Sequence, residues 1–169
     1  TVQDLEDLPT VWGGYDKLPL QSKYFLKAGY PITAMSGKFH TAWGEFGGFK
    51  HPNALRYEAA SMIAWGANCN FGDQLHPCGE MDVATYKNIG EAYAYVAKIE
   101  NEGGGGIPVA RVGLWRSLDE SCDEKKKKML LEAHINFDVA NFSKDFAEFE
   151  LVLIPSVACL SEADAERLN

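Results

Sequence analysis

The sequence predicts an α/β fold built on parallel strands, and three observations predict it. Short apolar runs alternate with segments whose apolar residues recur at helical spacing, the strand, loop, helix order that crossover connections produce. The alternation breaks at Asn101-Glu-Gly-Gly-Gly-Gly106, where four glycines cost too much backbone entropy to sit inside an element. That run marks a linker over 102–107, and the same alternation restarts beyond it. The chain therefore reads as two blocks, 1–101 and 108–169.

In the first block, Val2 to Leu5 carries a short strand signal and leads into Glu6-Asp7-Leu8-Pro9-Thr10 and the aromatic turn Trp12-Gly13-Gly14-Tyr15. Leu20 to Ala28 has helical spacing and stops at Gly29. Pro31 to Met35 is a buried strand. Asn53 to Trp65 is an amphipathic helix with Leu55, Ala59, Met62 and Ile63 on one face, ended near Gly66. Ala67 to Gly72 is a third, more polar strand. Asp82 caps a helix through about Lys98 that turns Tyr86, Ile89, Tyr93, Val96 and Ala97 inward. In the second block, Val109 to Trp115, Ile135 to Ala140 and Leu151 to Ile154 read as strands, and Asp123 to Ala133 as a helix. Ser161-Glu-Ala-Asp164 has the form of a capping box opening one more helix. An alternative architecture is a single open doubly wound sheet, with the glycine run as a surface loop.

The chain has 169 residues, 46% of them hydrophobic and 24% charged, which suits a globular chain with a real core. Its formal charge of -8 repels phosphate backbones, so no nucleic-acid partner is expected. No apolar run approaches the ~20 residues that cross a bilayer, so no membrane partner is expected either. Cys69, Cys78, Cys122 and Cys159 contain no CxxC pair, which argues against a zinc knuckle and for reduced structural thiols. Reduced thiols favour a cytoplasmic setting, whereas a Cys69–Cys78 disulfide would imply an oxidising one. Lys125 to Lys128 read as solvated helix surface. The glycine run lacks the context of a phosphate loop, and no nucleophile elbow surrounds Cys122 to pair it with His134.

The chemistry concentrates in Met35 to Gly48, a glycine-rich loop after a strand that carries His40, Trp43 and Glu45. Loops at the carboxyl ends of parallel strands are where α/β proteins keep their sites. An aromatic face beside imidazole and carboxylate suits a polar, ring-shaped ligand such as a sugar. Glu6, Trp12, Asp73 and His76 follow strands in the same way. Each has a structural reading beside the functional one. Glu45 either serves as an acid/base carboxylate or bonds amides of its own loop. Asp73 either binds hydroxyls or shapes a turn, and Glu6 either acts or orients the Pro9–Trp12 loop. His40 and His76 are sugar-binding or satisfied histidines, and Trp43 and Trp12 are platforms or core. No HxH or HExxH spacing supports a metal, and no cofactor is called for.

The order of motifs resembles bacterial glycoside hydrolases related to α-L-fucosidases, of the family-151 type. The likeness rests on Glu6-x-Leu8-Pro9-Thr10, Trp12-Gly-Gly-Tyr15, Ser36-Gly-Lys-Phe-His40, Trp43-Gly-Glu-Phe-Gly-Gly48 and Gly72-Asp-Gln-Leu-His-Pro77, with Gly79 and Asp82 behind. The resemblance implies that 1–101 is the C-terminal part of a (β/α)8 barrel. It implies that 108–169 begins a flavodoxin-like domain akin to the trimerisation domain of family-42 β-galactosidases, matched best over Met129 to Val139. It also implies a carbohydrate substrate, a homo-oligomer or union with the remainder of a parent protein, and a nucleophilic aspartate on an earlier strand outside this chain. Glu45, Asp73 and Glu6 then become the candidate catalytic carboxylates, because glycoside hydrolysis commonly uses a pair of them. Trp43 and Phe46 are expected to desolvate Glu45 and raise its pKa. His40, Trp43, Trp12 and His76 become candidate substrate-binding residues. The competing functional class is a non-catalytic binding or assembly module. An isolated arc of barrel is expected to expose strand edges and to aggregate or require a partner.

Overall fold

A computed structural model describes residues 1–103 and 105–168, and the chain divides into two compact units. The first comprises Thr1–Ser22 and Tyr30–Gly106, the second Lys23–Gly29 and Ile107–Asn169. The boundary between 106 and 107 falls at the end of the glycine run, of which Gly104 lies outside the described residues.

The first unit runs β1 (Gln3–Glu6), α1 (Lys17–Lys27, its last five residues belonging to the second unit), β2 (Ile32–Gly37), α2 (Pro52–Ala64), β3 (Asn68–Gly72) and α3 (Val83–Gly103). The strands pair in parallel in chain order β1-β2-β3. Leu5, Ala34 and Cys69 share one register level, Glu6, Met35 and Asn70 the next, and Gly37 lies beside Gly72 at the carboxyl end. Because side chains alternate along a strand, the two sheet faces differ in chemistry. On one face Leu5, Ile32, Ala34 and Ser36 are buried, and Cys69 and Phe71 pack on a cluster of Leu55, Ala59, Ile89, Ala92 and Val96 from α2 and α3. On the other face Asp4, Glu6, Asn68 and Asn70 are exposed, and Thr33 and Met35 half-buried. Leu18 of α1 and Glu58, Ser61 and Met62 of α2 line a cavity of about 20 Å³ together with Ala34 and Ser36, so both helices cover the same face.

Local chemistry sets the helix ends. Pro52 opens α2 and the His51 ring accepts from the Asn53 amide at 3.1 Å, an N-cap that satisfies an orphan donor. Gly66, at φ +78°, closes the helix, and the Ala67 amide bonds the Met62 carbonyl at 2.9 Å. The inward face of α3 differs from expectation. Thr85, Ile89, Ala92 and Val96 are buried, whereas Tyr86, Tyr93 and Ala97 are exposed. Small Ala92 lets α3 approach Leu55 and Ala59 of α2 closely, and the tyrosines keep their hydroxyls at the surface, with Tyr93 Oη donating to the Cys69 carbonyl at 3.2 Å. The helix also outruns Lys98, reaching Gly103.

The second unit runs β4 (Val112–Leu114), α4 (Glu120–Glu132), β5 (Phe137–Val139), β6 (Leu151–Leu153) and α5 (Glu162–Arg167). Its strands are parallel in the order β5-β4-β6. Among the described residues the strands form two separate three-stranded sheets, not the single open six-stranded one. Asp119 caps α4 by accepting from the Cys122 amide at 2.9 Å, and Ser161 and Asp164 form the full capping box of α5. The Asp123 carboxylate accepts from the Ser117 amide, the Ser117 hydroxyl and the Leu118 amide at 3.0, 2.7 and 3.0 Å, tying the loop after β4 to α4. Lysines 125–128 are not uniformly solvated. Lys127 is fully buried, with its ammonium 2.6 Å from Glu124, because one residue in every turn of α4 must face inward. Cys122 and His134 sit at opposite ends of α4, so they form no dyad.

All four cysteines are free thiols, so the Cys69–Cys78 bridge is absent. Cys69 donates to the Ala59 carbonyl at 3.3 Å, and burial pushes its pKa up to about 11. Cys78 and Cys159 are exposed. Peptide mapping after brief iodoacetamide treatment at pH 8 is expected to find Cys78 and Cys159 alkylated and Cys69 protected. Equal labelling of Cys69 would contradict this packing. No helix of the described residues is long and apolar enough to cross a membrane.

Candidate active site

The carboxyl ends of β1, β2 and β3 carry all seven residues singled out in the sequence. Their centre is Trp43. Gly37 and Gly72, neighbours in the sheet, leave bare backbone at the strand ends, and the indole lies over both. A Cβ at Gly37 would stand 2.8 Å from that ring and 2.6 Å from Phe39, and one at Gly72 would stand 2.7 Å from Trp43. Only glycine allows this close approach. The indole is braced by Phe39, with ring centroids 5.2 Å apart, and by Trp12 at 6.0 Å. The Trp12 ring in turn carries the Lys17 ammonium at 5.2 Å, and Lys17 also donates to the Glu6 carbonyl at 3.4 Å. Glu6, Trp12 and Trp43 are thereby linked, although the Glu6 side chain is exposed and makes no part of the contact.

Glu45 departs from expectation. Hydrogen bonds to its carboxylate outweigh the effect of desolvation. Its Oε2 accepts from the Thr41 amide at 2.7 Å and the Thr41 hydroxyl at 2.8 Å, and these bonds hold its pKa below the usual glutamate value. A carboxylate stabilised this way is ionised at neutral pH and does not suit the proton-donor role. The unfolded chain would protonate near 4.5 and the folded chain only below it, so the stabilisation is complete above pH 4.5 and lost as the pH falls through the lower value. The Thr41 amide proton resonance is expected to titrate with a midpoint below 4.5; a midpoint above it would contradict the loop geometry. Exposed His40 stands beside Glu45, both bordering Gly48, where a Cβ would meet Glu45 at 2.6 Å and His40 at 2.8 Å.

From the loop after β3, exposed His76 meets the Phe46 ring edge-on at 5.9 Å, and its Nδ1 lies 2.9 Å from Cys78 Sγ. Asp73 Oδ1 accepts from the Gln74 amide at 2.7 Å. Two loops thus cross here, 39–48 and 72–78. Two hollows of this unit lie elsewhere: the cavity at Asp7, Ser36 and Glu58, and a groove lined by Phe49, Lys50, His51, Lys87 and Asn88. Among the described residues no group of three or more His, Cys, Asp or Glu side chains is placed to hold a metal.

The sequence reading missed the support beneath the loop. The Lys50 ammonium, 4% exposed, bonds Glu58 Oε2 and Oε1 at 2.9 and 3.1 Å and Ser36 Oγ at 3.1 Å, while Ser36 donates to Glu58 at 2.7 Å. Burial lowers the Lys50 pKa, and Glu58 opposes that shift. Lys38, also buried, donates to the Phe46 carbonyl at 3.1 Å and its amide bonds the Gly72 carbonyl. The network binds the end of β2, the loop and α2 into one piece. Gln74, within the Gly72 to Pro77 motif, carried no signal in the sequence, yet its side-chain oxygen would lie 3.5 Å from a Cβ at Gly44.

No protein-family model matches the chain, and no curated protein sequence matches it. The chain spans about a quarter of the length of a solved structure that it does match. It is similar, with a TM-score of 0.86 and 39% identity over 98% of this chain and 27% of that one, to the α-L-fucosidase isoenzyme 2 of Paenibacillus thiaminolyticus.

Proposed function

We propose that this chain is a portion of a glycoside hydrolase of the α-L-fucosidase type, acting on a terminal sugar. The observation that carries the reading is the 39% identity to an α-L-fucosidase across nearly the whole chain. The first unit is read as the last three βα units of a (β/α)8 barrel. Parallel strands in chain order, helices on one face and a polar opposite face support it, since a barrel puts every helix outside and its site at the carboxyl ends. The second unit is read as the start of a flavodoxin-like, trimerisation-type domain, supported by an order that reverses about β4. A homo-oligomer follows from that reading.

In this proposal Trp43 and Trp12 offer apolar ring faces to the sugar, and His40 and His76 reach its hydroxyls. Asp73 and the ionised Glu45 act as acceptors or electrostatic partners, Glu6 lines the mouth, and the nucleophile lies outside this chain. The test is hydrolysis of 4-nitrophenyl α-L-fucopyranoside by the full-length protein that carries the chain. Turnover is expected, with kcat/KM reduced at least about tenfold in Glu45→Gln or Asp73→Asn. Turnover untouched by both changes would refute the site assignment. Absence of turnover on every aryl glycoside offered would refute the hydrolase reading.

A further inference from the structure

Three buried polar atoms at the crossing of the two loops have no hydrogen-bond partner among the described residues: Trp43 Nε1, Asp73 Oδ2 and Gln74 Oε1. Buried polar atoms are ordinarily paired, and leaving one unpaired costs its desolvation without return. The three belong to two segments at the carboxyl ends of adjacent strands, segments that meet at Gly44 and Gly72. The neighbourhood is shared in detail. Trp43 lies over Gly72, Asp73 follows Gly72, and Gln74 reaches back beside Gly44, the residue after Trp43.

The three atoms also have complementary chemistry. The indole N–H is a donor only, whereas a carboxylate oxygen and an amide carbonyl are acceptors. Asp73 is held in place by its other oxygen, which takes the Gln74 amide, so Oδ2 is presented in a fixed direction. One donor and two acceptors match a pair of neighbouring hydroxyls: each hydroxyl gives its proton to Asp73 or Gln74, and one oxygen receives the indole N–H. Building on the carbohydrate reading above, we propose that Trp43, Asp73 and Gln74 recognise a vicinal diol of the sugar. Gln74 is the specificity-determining residue of the set. The ligand enters by parting loops 39–48 and 72–78, and restoring the missing hydrogen bonds offsets the cost of parting them.

Calorimetric titration of the full-length protein with L-fucose, D-galactose and their singly deoxygenated forms tests this, using the native sequence, Gln74→Leu and Trp43→Phe. Gln74→Leu is expected to weaken the preferred sugar about tenfold yet leave unchanged the affinity for one deoxygenated form, the one lacking the hydroxyl that Gln74 reads. Trp43→Phe, which removes the N–H together with part of the bicyclic ring, is expected to show the same selective pattern on top of any general loss from reduced packing. Because Gln74→Leu removes an unpaired buried polar atom, the melting temperature of that unliganded variant is expected to hold or rise, whereas Trp43→Phe is expected to lower it through lost packing on Gly37 and Gly72. Losses spread equally over all sugars, or no loss, would overturn the diol proposal while leaving the carbohydrate reading standing. A native protein that binds none of these sugars would overturn both. The coupling between residue and hydroxyl decides the matter whichever way the melting temperature moves.

Discussion

Lys50→Met is expected to destabilise the chain by about 3–5 kcal/mol, the usual cost of removing one partner from a buried ion pair. Both side chains are almost wholly buried, at 4% and 3% exposure, so the stranded Glu58 carboxylate has no water to turn to. Ser36 Oγ alone cannot replace the three donors that an ammonium supplies. Denaturant titration would show a lower midpoint with an unchanged slope if the chain remains cooperative. The double change Lys50→Met with Glu58→Leu is expected to recover most of the loss, because it removes the buried charge along with its partner. A single-mutant loss below about 1 kcal/mol would mean that the pair is not buried as described. The consequence reaches the site, because the Lys50 amide bonds the Lys38 carbonyl and Asn88 donates to the Lys50 carbonyl at 2.9 Å. Loosening Lys50 therefore loosens the loop that holds Trp43.

Trp43→Ala is expected to cost about 3 kcal/mol of stability, the lower end for a large aromatic because the ring is only half-buried. It removes the cover from Gly37 and Gly72 and the ring contacts to Phe39 and Trp12. A double-mutant cycle isolates the contact. Gly72→Ala alone is expected to cost about 1–3 kcal/mol, because its Cβ would press into the indole at 2.7 Å. In the Trp43→Ala background the same change should cost far less. Additive losses would show that the indole does not rest on Gly72, and the site as described would fall with that contact.

Part of the site was legible because glycine, tryptophan and turn residues announce themselves locally. Gly37, Gly72 and Trp43 all stand in motifs that carry the family likeness, and they meet in space. The state of Glu45 was not legible, because it depends on which way Thr41 points its amide and hydroxyl within a turn. The Tyr86/Tyr93 error on α3 has a similar source. Two faces of that helix share Ile89 and Val96, and a tyrosine serves equally as core or as surface. Only the close approach of α2 to Ala92 chooses between them.

The sequence by itself determined the alternation of strands and helices, the capping box at Ser161, and the strand-end loops that gather the polar and aromatic residues. These follow from periodicity and from hydrogen bonds between residues a few positions apart. Tertiary structure alone decided that the strands form two sheets, that Lys50 and Glu58 are buried together, and that Trp43, Asp73 and Gln74 share one crossing. Those outcomes depend on contacts between distant segments, whose strength is set by burial and geometry, and neither is written in the local order of residues.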